Sequence, residues 1–481
     1  MTVTGRLTAR AFSLLLAVGA VSAVPSAQTR PRSEPDWARL EQETLGHFQA
    51  VVRLDTSNPP GGETAVVDYL KKVLDAEGIP AQIFALEPSR ANLVARLKGN
   101  GRKRPLLIMG HTDVVTVEPA KWTFPPFSAT RDGGYIYGRG SLDDKPHVVA
   151  GLMILLTLKR MNVALDRDVI FLAESGEEGT TRVGIDFMTE QHLSEIDAEY
   201  CLAEGGGVRM NGGRVQFAAV GTMEKTPRTI ELTARGPSAH GSVPIGSNAV
   251  ARLAAAVAAV TAWQPPIRLN ETTREYFQHM AGISSPADAA RFRALLGPDT
   301  REMEEAAKYF QDTAPGYAAL LRTTVSPTML RAGFRYNVIP SEASATLDVR
   351  MLPDEDPAEL VRALQQVIND PSVEVALARR DGLPRPPGRS GVSTDAFHAI
   401  ETAEAQNYDT VTIPAMGTGA SDNAQMRAKG IQCYGVGPAT DMDDPPKGFG
   451  AHSDQERLLE SEIHRFVRFN WEVIYDLAHA R

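Results

Sequence analysis

What most constrains the fold of this chain is a recurring unit: a short, wholly apolar run that stops at a polar residue and gives way to a helical pattern. Residues 105–109 read PLLIM and stop at Gly110, residues 169–173 read VIFLA and residues 200–203 read YCLA. Each run is too short for a helix and does not alternate, so it reads as a strand buried on both faces. Residues 82–85 and 92–97 add two more strands. Residues 41–54 and 64–77 carry the amphipathic spacing of helices, and 147–161 is a third helix. Strands alternating with helices predict an α/β domain with parallel strand pairs.

The character changes near residue 223. Residues 229–234 alternate like a half-exposed strand, 248–263 is an alanine-rich helix, 343–351 alternates again, 357–369 is helical and 373–378 is a strand. With a further strand expected near 334–339, this is a split β-α-β arrangement of a small α+β domain. Residues 264–330, polar and helix-prone, read as an insertion in it. After the Pro/Gly/Arg-rich stretch 382–391, helical and strand patterns resume at 395–406, 410–413, 423–429 and 431–436, with a long helix from about Glu456. The expected domains are a leader at 1–27, a first catalytic part at 34–222, a smaller domain at 223–382 holding the insertion, and a second catalytic part at 383–481.

Charge and cysteine content exclude several functions. With 59 acidic against 50 basic residues the net charge is −9, which is not the basic footprint of a nucleic-acid binder. Cys201 and Cys433 are the two cysteines, so a cysteine-rich zinc module or a disulfide-stapled scaffold is excluded. Any metal must be held by His and carboxylates. The N-terminus carries Arg6 and Arg10, then the apolar stretch AFSLLLAVGAVSAV, with small residues near Ala23 and Ala27. That is the pattern of a signal peptide, and the apolar run falls short of the roughly 20 residues of a membrane span. Export to the periplasm or medium is expected, with no stable membrane span once the leader is cleaved. In such a compartment a Cys201–Cys433 disulfide is permitted, as are two separate buried thiols.

Five polar segments stand at expected strand ends or helix starts. They are Gly110-His111-Thr112-Asp113, Gly140-Ser141-Leu142-Asp143-Asp144, Glu174-Ser175-Gly176-Glu177-Glu178, Glu204-Gly205-Gly206-Gly207 and Gly450-Ala451-His452-Ser453-Asp454. Singly, each has a plain alternative: a capping pair, an Asp helix cap, a solvated acidic loop, an exposed histidine. Together they place His111, Asp143, Glu178, Glu204 and His452 around the carboxyl edge of one sheet, where open α/β sheets bind ligands. Two imidazoles and three carboxylates suit a pair of Zn²⁺-like ions sharing a carboxylate. An acid two residues after a ligand His can orient its ring.

LLIMGHTDVV, YGRGSLDDK and AESGEEG in this order resemble the M20 family of metallopeptidases, the group of carboxypeptidase G2, succinyl-diaminopimelate desuccinylase, acetylornithine deacetylase and aminoacylase-1. The wording of GRGSLDDK and WTFPPFS is most similar to its carboxypeptidase S-like, N-fatty-acyl amino acid hydrolase branch. The resemblance implies a discontinuous, zinc-exopeptidase-like catalytic domain with an inserted ferredoxin-like lid and dimerisation domain. It implies two divalent ions, Zn²⁺ first, with Co²⁺ or Mn²⁺ as alternatives. Asp143 would bridge them, with His111 and Glu204 completing one site and Glu178 and His452 the other. Asp113 would orient His111 and Glu177 would be the general base. His240, in GPSAHG, would stabilise the oxyanion of a partner subunit's site. Asn337, Arg350 and Gly419 match substrate-binding positions, and a free carboxylate suits a bidentate Arg.

The expected activity is hydrolysis, by metal-activated water, of an amide bond next to a free carboxylate. The substrate would be a small peptide or an N-acyl amino acid and the enzyme a homodimer. Two alternatives remain at this level: an aminopeptidase or dipeptidase of related architecture, and a non-catalytic binding protein on the same scaffold.

Overall fold

The apolar runs lie side by side. The computed structural model describes residues 1–2, 4, 34–378 and 384–480, and all that follows concerns the compact unit Trp37–Arg481. Apart from residues 1, 2 and 4, the expected leader lies outside the described residues, as does the expected boundary at 382/383. Strands Val169–Glu174, Leu106–His111, Tyr200–Ala203 and Gln432–Gly435 are neighbours in that order and pair in parallel. They form the centre of a ten-stranded sheet. Ala91–Leu97 and Ala81–Ala85 extend one side in antiparallel pairing. Gly207–Asn211, Arg214–Glu224 and Thr412–Gly417 extend the other. Every residue of Leu106–His111 and Val169–Glu174 is buried, as the lack of alternation in these runs requires.

Helices cover both faces. Trp37–Val52, Thr64–Ala76, Lys145–Arg160, Asp395–Tyr408 and Glu460–Ala478 share one large apolar core with the sheet. Ile185–Gln191 and Asn423–Ala428 cover the opposite face. Lys145–Arg160 is buried along nearly its whole length, starts with Pro146 in its first turn and ends on Lys159 and Arg160, which suit the negative end of the helix dipole. It lies so close to the sheet that a Cβ at Gly110 would stand 2.8 Å from the His147 Cβ. A side chain there would push the helix start away from the strand that ends at His111.

The second sheet has four antiparallel strands in the order Thr324–Ala332, Glu342–Met351, Thr226–Arg235, Val373–Leu377. Helices Ala249–Ala262 and Pro357–Ile368, capped by Asn248 and Asp356, pack on it around a separate core. Its edge strand is not at 334–339, as expected, but at Thr324–Ala332. The end of the expected insertion is therefore part of this sheet. Pro327 disguises the strand in the sequence. A proline fits only an edge or a bulge, and the register does slip between Pro327 and Met329. Residues 338–339 instead make a two-residue ladder with Ala239–His240.

The remainder of the insertion forms helices Glu271–Ile283, Pro286–Leu296, Thr300–Thr313 and Pro315–Ala319. Asn270, Ser285 and Asp299 cap the first three. Their aromatic core, with Phe277, Phe292 and Phe310 stacked, packs on Phe217, Met223, Ile413 and Met416 of the large sheet. The final helix begins at Glu460, not Glu456, because Arg457–Leu459 pairs as a strand with Tyr135–Tyr137. Cys201 and Cys433 are buried, free and exact register partners on neighbouring strands.

Candidate metal centre

The carboxyl ends of the central parallel strands gather the site. His111 ends its strand, and its Nδ1–H donates to the Asp113 carbonyl at 3.0 Å. This leaves Nε2 2.9 Å from Asp143 Oδ1. The other Asp143 oxygen, Oδ2, is 3.2 Å from His452 Nε2, which also meets Glu178 Oε1 at 2.8 Å. Asp143 thus stands between the two imidazoles, one oxygen toward each. Glu204 joins His111 and Glu177 in a second group whose ligand atoms lie within 4.8 Å of one another, beside the group of His111, Asp143 and Glu178.

Electrostatics at this cluster favour cations. Burial works against ionisation of Asp143, but hydrogen bonds from His111 and His452 hold its carboxyl far below the usual range. Hydrogen bonds with Asp143 and then Glu178 push His452 up to about 10. Burial, then the charges of Asp143 and Glu177, push the Glu204 carboxyl well above its ordinary value. Crowded carboxylates of this kind are costly unless a cation compensates them. With two imidazoles and three carboxylates the donor set fits a pair of divalent ions.

Asp113 does more than its place in the motif suggests. Its carbonyl makes the closer contact with the His111 ring, while the nearest carboxylate oxygen is 3.4 Å away. The carboxylate accepts from Asn58 Nδ2 at 2.8 Å and from the backbone N–H of Glu177 and Glu178, each at 3.1 Å. Burial would raise its pKa, but the His111 ring first, then the bonds from Asn58 and the Glu178 N–H, hold it below the usual range. Asp113 therefore ties the turn bearing Glu177 and Glu178 to the strand end bearing His111.

Glu177 faces the cluster with a side chain only 9% exposed. Burial pushes it up to about 8 against the opposing pull of Arg385. Arg385 Nη2 donates to Glu177 Oε1 at 2.5 Å, and its Nη1 lies 3.0 Å from Asp422 Oδ1. The sequence reading missed Arg385 because it sits in the stretch 382–391, whose composition looks like a connection between domains. Nothing local marks Glu456 either. Its buried carboxylate accepts from the N–H groups of Leu142 and Asp143 at 2.7 and 3.2 Å and from Arg139 at 2.7 Å, fixing the loop that presents Asp143. Gln455 joins the 121–123 loop through Thr123 N and the Lys121 carbonyl.

A cavity of about 1000 Å³ opens beside the cluster, lined among others by Glu177, Glu178, His452, Arg350, Arg385 and Gly419. Arg350 forks onto Asp348 at 2.8 and 3.1 Å. A Cβ at Gly419 would meet nothing within 4 Å. His240 and Asn337 are not in its lining. His240 is exposed. Its Nδ1 accepts from Ser242 N at 3.2 Å and lies 2.6 Å from the Ser242 hydroxyl, which leaves Nε2–H as a donor. Asn337, next to the ladder that carries His240, has a buried Oδ1 without a hydrogen-bond partner.

Residues 107–476 match the model of peptidase family M20/M25/M40. The chain is 30% identical over 333 residues to a probable succinyl-diaminopimelate desuccinylase of Staphylococcus aureus, covering 69% of this chain and 74% of the relative. It is 30% identical over 380 residues to an N-fatty-acyl-amino acid synthase/hydrolase of Xenopus tropicalis, covering 77% and 72%. Its fold is similar to that of an M20 family metallo-carboxypeptidase from Sulfolobus solfataricus, with a TM-score of 0.69 and 21% identity over 90% of this chain and 98% of the other. With its sheet, its cluster of imidazoles and carboxylates and these matches, the chain belongs to peptidase family M20/M25/M40 and is a hydrolase of the metallopeptidase and amidohydrolase class.

Proposed function

We propose that this enzyme hydrolyses the amide bond next to a free carboxylate, releasing an amino acid from an N-acyl amino acid or from the C-terminus of a small peptide. One observation carries the reading: Glu177 stands beside the His111–Asp143–His452 cluster and faces the same cavity as Arg350 and Arg385. The residues that would hold two divalent cations, zinc before cobalt or manganese, are His111 and Glu204 on one side, Glu178 and His452 on the other, and Asp143 between. When bound, such a pair polarises a carbonyl and lowers the pKa of a shared water.

The chain's own residues do the remainder. Glu177 takes the proton of the attacking water and returns it to the leaving nitrogen, a task its place beside His111 and Glu204 allows. Asp113 keeps Glu177 in register with His111. Arg350, whose Nε and Nη2 are held by Asp348, and Arg385, held by Glu177 and Asp422, put positive charge on the cavity wall for the substrate carboxylate. His240 supplies its Nε2–H to the carbonyl oxygen from a second copy of the chain, which would account for its place outside the cavity of its own chain. Exposed Met329, Leu330, Phe334 and Tyr336 on and after the edge strand give the second sheet an apolar surface for that contact. The leader pattern supports action after export, and among the described residues no helix is long and apolar enough to cross a membrane.

Glu177→Gln tests the assignment. Turnover of N-acyl amino acids should fall by at least about 10³-fold while two metal equivalents per chain remain. Near-full activity of the variant would refute the role. Substrates with a blocked N-terminus should be cleaved; a requirement for a free amine would favour an aminopeptidase or dipeptidase instead.

A further inference from the structure

The two imidazoles of the cluster are held in different ways. His111 ends a strand that is buried throughout, and its Nδ1–H donates to the Asp113 carbonyl. His452 lies on the long loop between the strands Thr440–Asp441 and Arg457–Leu459. Its side chain is 52% exposed, against 2% for His111. Its backbone has a φ of 62°, in the left-handed region that a residue other than glycine keeps only where its surroundings impose it. Among the described residues, its ring is met through Nε2, by Asp143 and Glu178. The aim of this ligand therefore depends on what fixes the loop.

Packing from within does little of this. At Asp444, Pro445, Gly450 and Ala451 the loop borders a second cavity, of about 340 Å³, that also meets Asp143 and Glu204. One side chain ties the loop down. Arg457 opens a strand that pairs with Tyr135–Tyr137 and is rooted by buried Ile136 and Leu458. From there its guanidinium stacks on two rings, with Cζ 3.7 Å from the centre of Phe449 and 3.9 Å from that of Tyr135. Its Nη2 donates to Asp444 Oδ1 at 2.8 Å and its Nη1 to the Tyr137 hydroxyl at 3.0 Å. Asp444 and Phe449 belong to the loop, Tyr135 and Tyr137 to the small sheet. The Phe449 N–H donates to the Asp444 carbonyl at 3.0 Å, which joins the two loop anchors to each other. Stacking uses the face of the cation and the hydrogen bonds use its edge, a combination that a lysine cannot make.

We propose that Arg457 is a positioning residue for the metal centre: by clamping the loop to the small sheet it imposes the left-handed backbone at His452 and aims the Nε2 of that residue at Asp143 and Glu178. The proposal rests on the two-cation reading above and adds to it a residue that acts through His452. Its effect is selective. His111 and Glu204 stand at the ends of central strands, away from the loop. Loosening the clamp should weaken the cation held by Glu178 and His452 and spare the one held by His111 and Glu204.

The test is calorimetric titration of the metal-free protein with zinc, for the wild type, Arg457→Gln, Arg457→Lys and Phe449→Ala. The last opens the clamp from the loop side and leaves the strand intact. In Arg457→Gln and Phe449→Ala one equivalent should bind about 10–100-fold more weakly and the other as in the wild type. Hydrolysis lost at stoichiometric zinc should return as zinc is raised, and Arg457→Lys, which keeps the pair with Asp444, should fall between. Adding Arg457→Gln to His452→Ala should weaken zinc binding no further than His452→Ala alone, because both act through one ligand. Hydrogen exchange gives a reading without metal: the amides of residues 447–453 should exchange faster in both clamp variants, with those of Leu106–His111 as protected as in the wild type. Wild-type affinity for both ions in both clamp variants overturns the proposal. So does an equal loss of both ions, or faster exchange throughout the central sheet, either of which makes Arg457 a residue of general stability. A wild type that takes fewer than two ions overturns the two-cation reading and the proposal with it, whereas unaltered variants of a two-ion wild type overturn the proposal alone.

Discussion

At the scale of single residues, the carboxyl groups of this protein are differentiated by what surrounds them. Asp113 receives three hydrogen bonds and is held ionised, whereas Glu177 is buried and its carboxyl is pushed up to about 8. Arg385 joins Glu177 to Asp422 with two parallel arms of one guanidinium. A lysine cannot span both. Arg385→Lys should therefore loosen Glu177 and lower kcat by about tenfold or more, measured by steady-state kinetics; unchanged parameters would remove Arg385 from the site. Far from the cluster, Glu404 is pushed up to about 8 by burial, although the Thr412 hydroxyl donates to it at 2.7 Å. Its folded pKa lies above the unfolded value, so folding favours the protonated form. The stability it contributes is complete below about pH 4.5 and is lost as pH rises toward 8. Glu404→Gln should be more stable than wild type by about 1–3 kcal/mol at pH 8 and nearly equal to it at pH 4.5. Denaturant titrations at the two pH values check this.

At the scale of elements, the loops that carry the site are fixed by contacts distant in the chain. Glu456 fastens the Leu142–Asp143 loop and Asn58 fastens Asp113. Glu456→Gln breaks the ion pair with Arg139 and weakens the acceptor for both amides, so metal affinity should fall by about 10–100-fold with the fold intact; competition with a chelating dye measures it. These distances explain what could be read from the sequence. His111, Asp143, Glu178, Glu204 and His452 stand in compact segments at strand ends and loops, where an apolar run followed by polar and glycine residues is visible locally. Arg385, Asn58 and Glu456 act across separations that no local pattern records. The same holds for elements. The buried central strands announce themselves by being apolar throughout, but the edge strand Thr324–Ala332 is mostly exposed and interrupted by Pro327. The hairpin of Gly207–Asn211 and Arg214–Glu224 was not among the expected strands, although Asn211-Gly212-Gly213 is a hairpin signal.

At the scale of the whole molecule, the insertion helices explain why a polar-looking segment is retained in a folded chain. Their aromatic residues are buried against the large sheet, leaving the capping and charged residues outward. They brace the strands Arg214–Glu224 and Thr412–Gly417, and the second of these leads into the Gly419 loop of the first cavity. The arrangement is a sheet edge with two cavities against one cluster of imidazoles and carboxylates. All of the proposed chemistry depends on that cluster holding two cations. The most direct measurement is metal content by mass spectrometry, taken together with hydrolysis of an N-acyl amino acid, for the wild type, a chelated sample and His452→Ala. Two equivalents per chain in the wild type, loss of activity on chelation with recovery on adding zinc, and about one equivalent or fewer with no activity in His452→Ala are the expected results. Full hydrolysis by metal-free protein, or two retained equivalents in His452→Ala, would contradict the account.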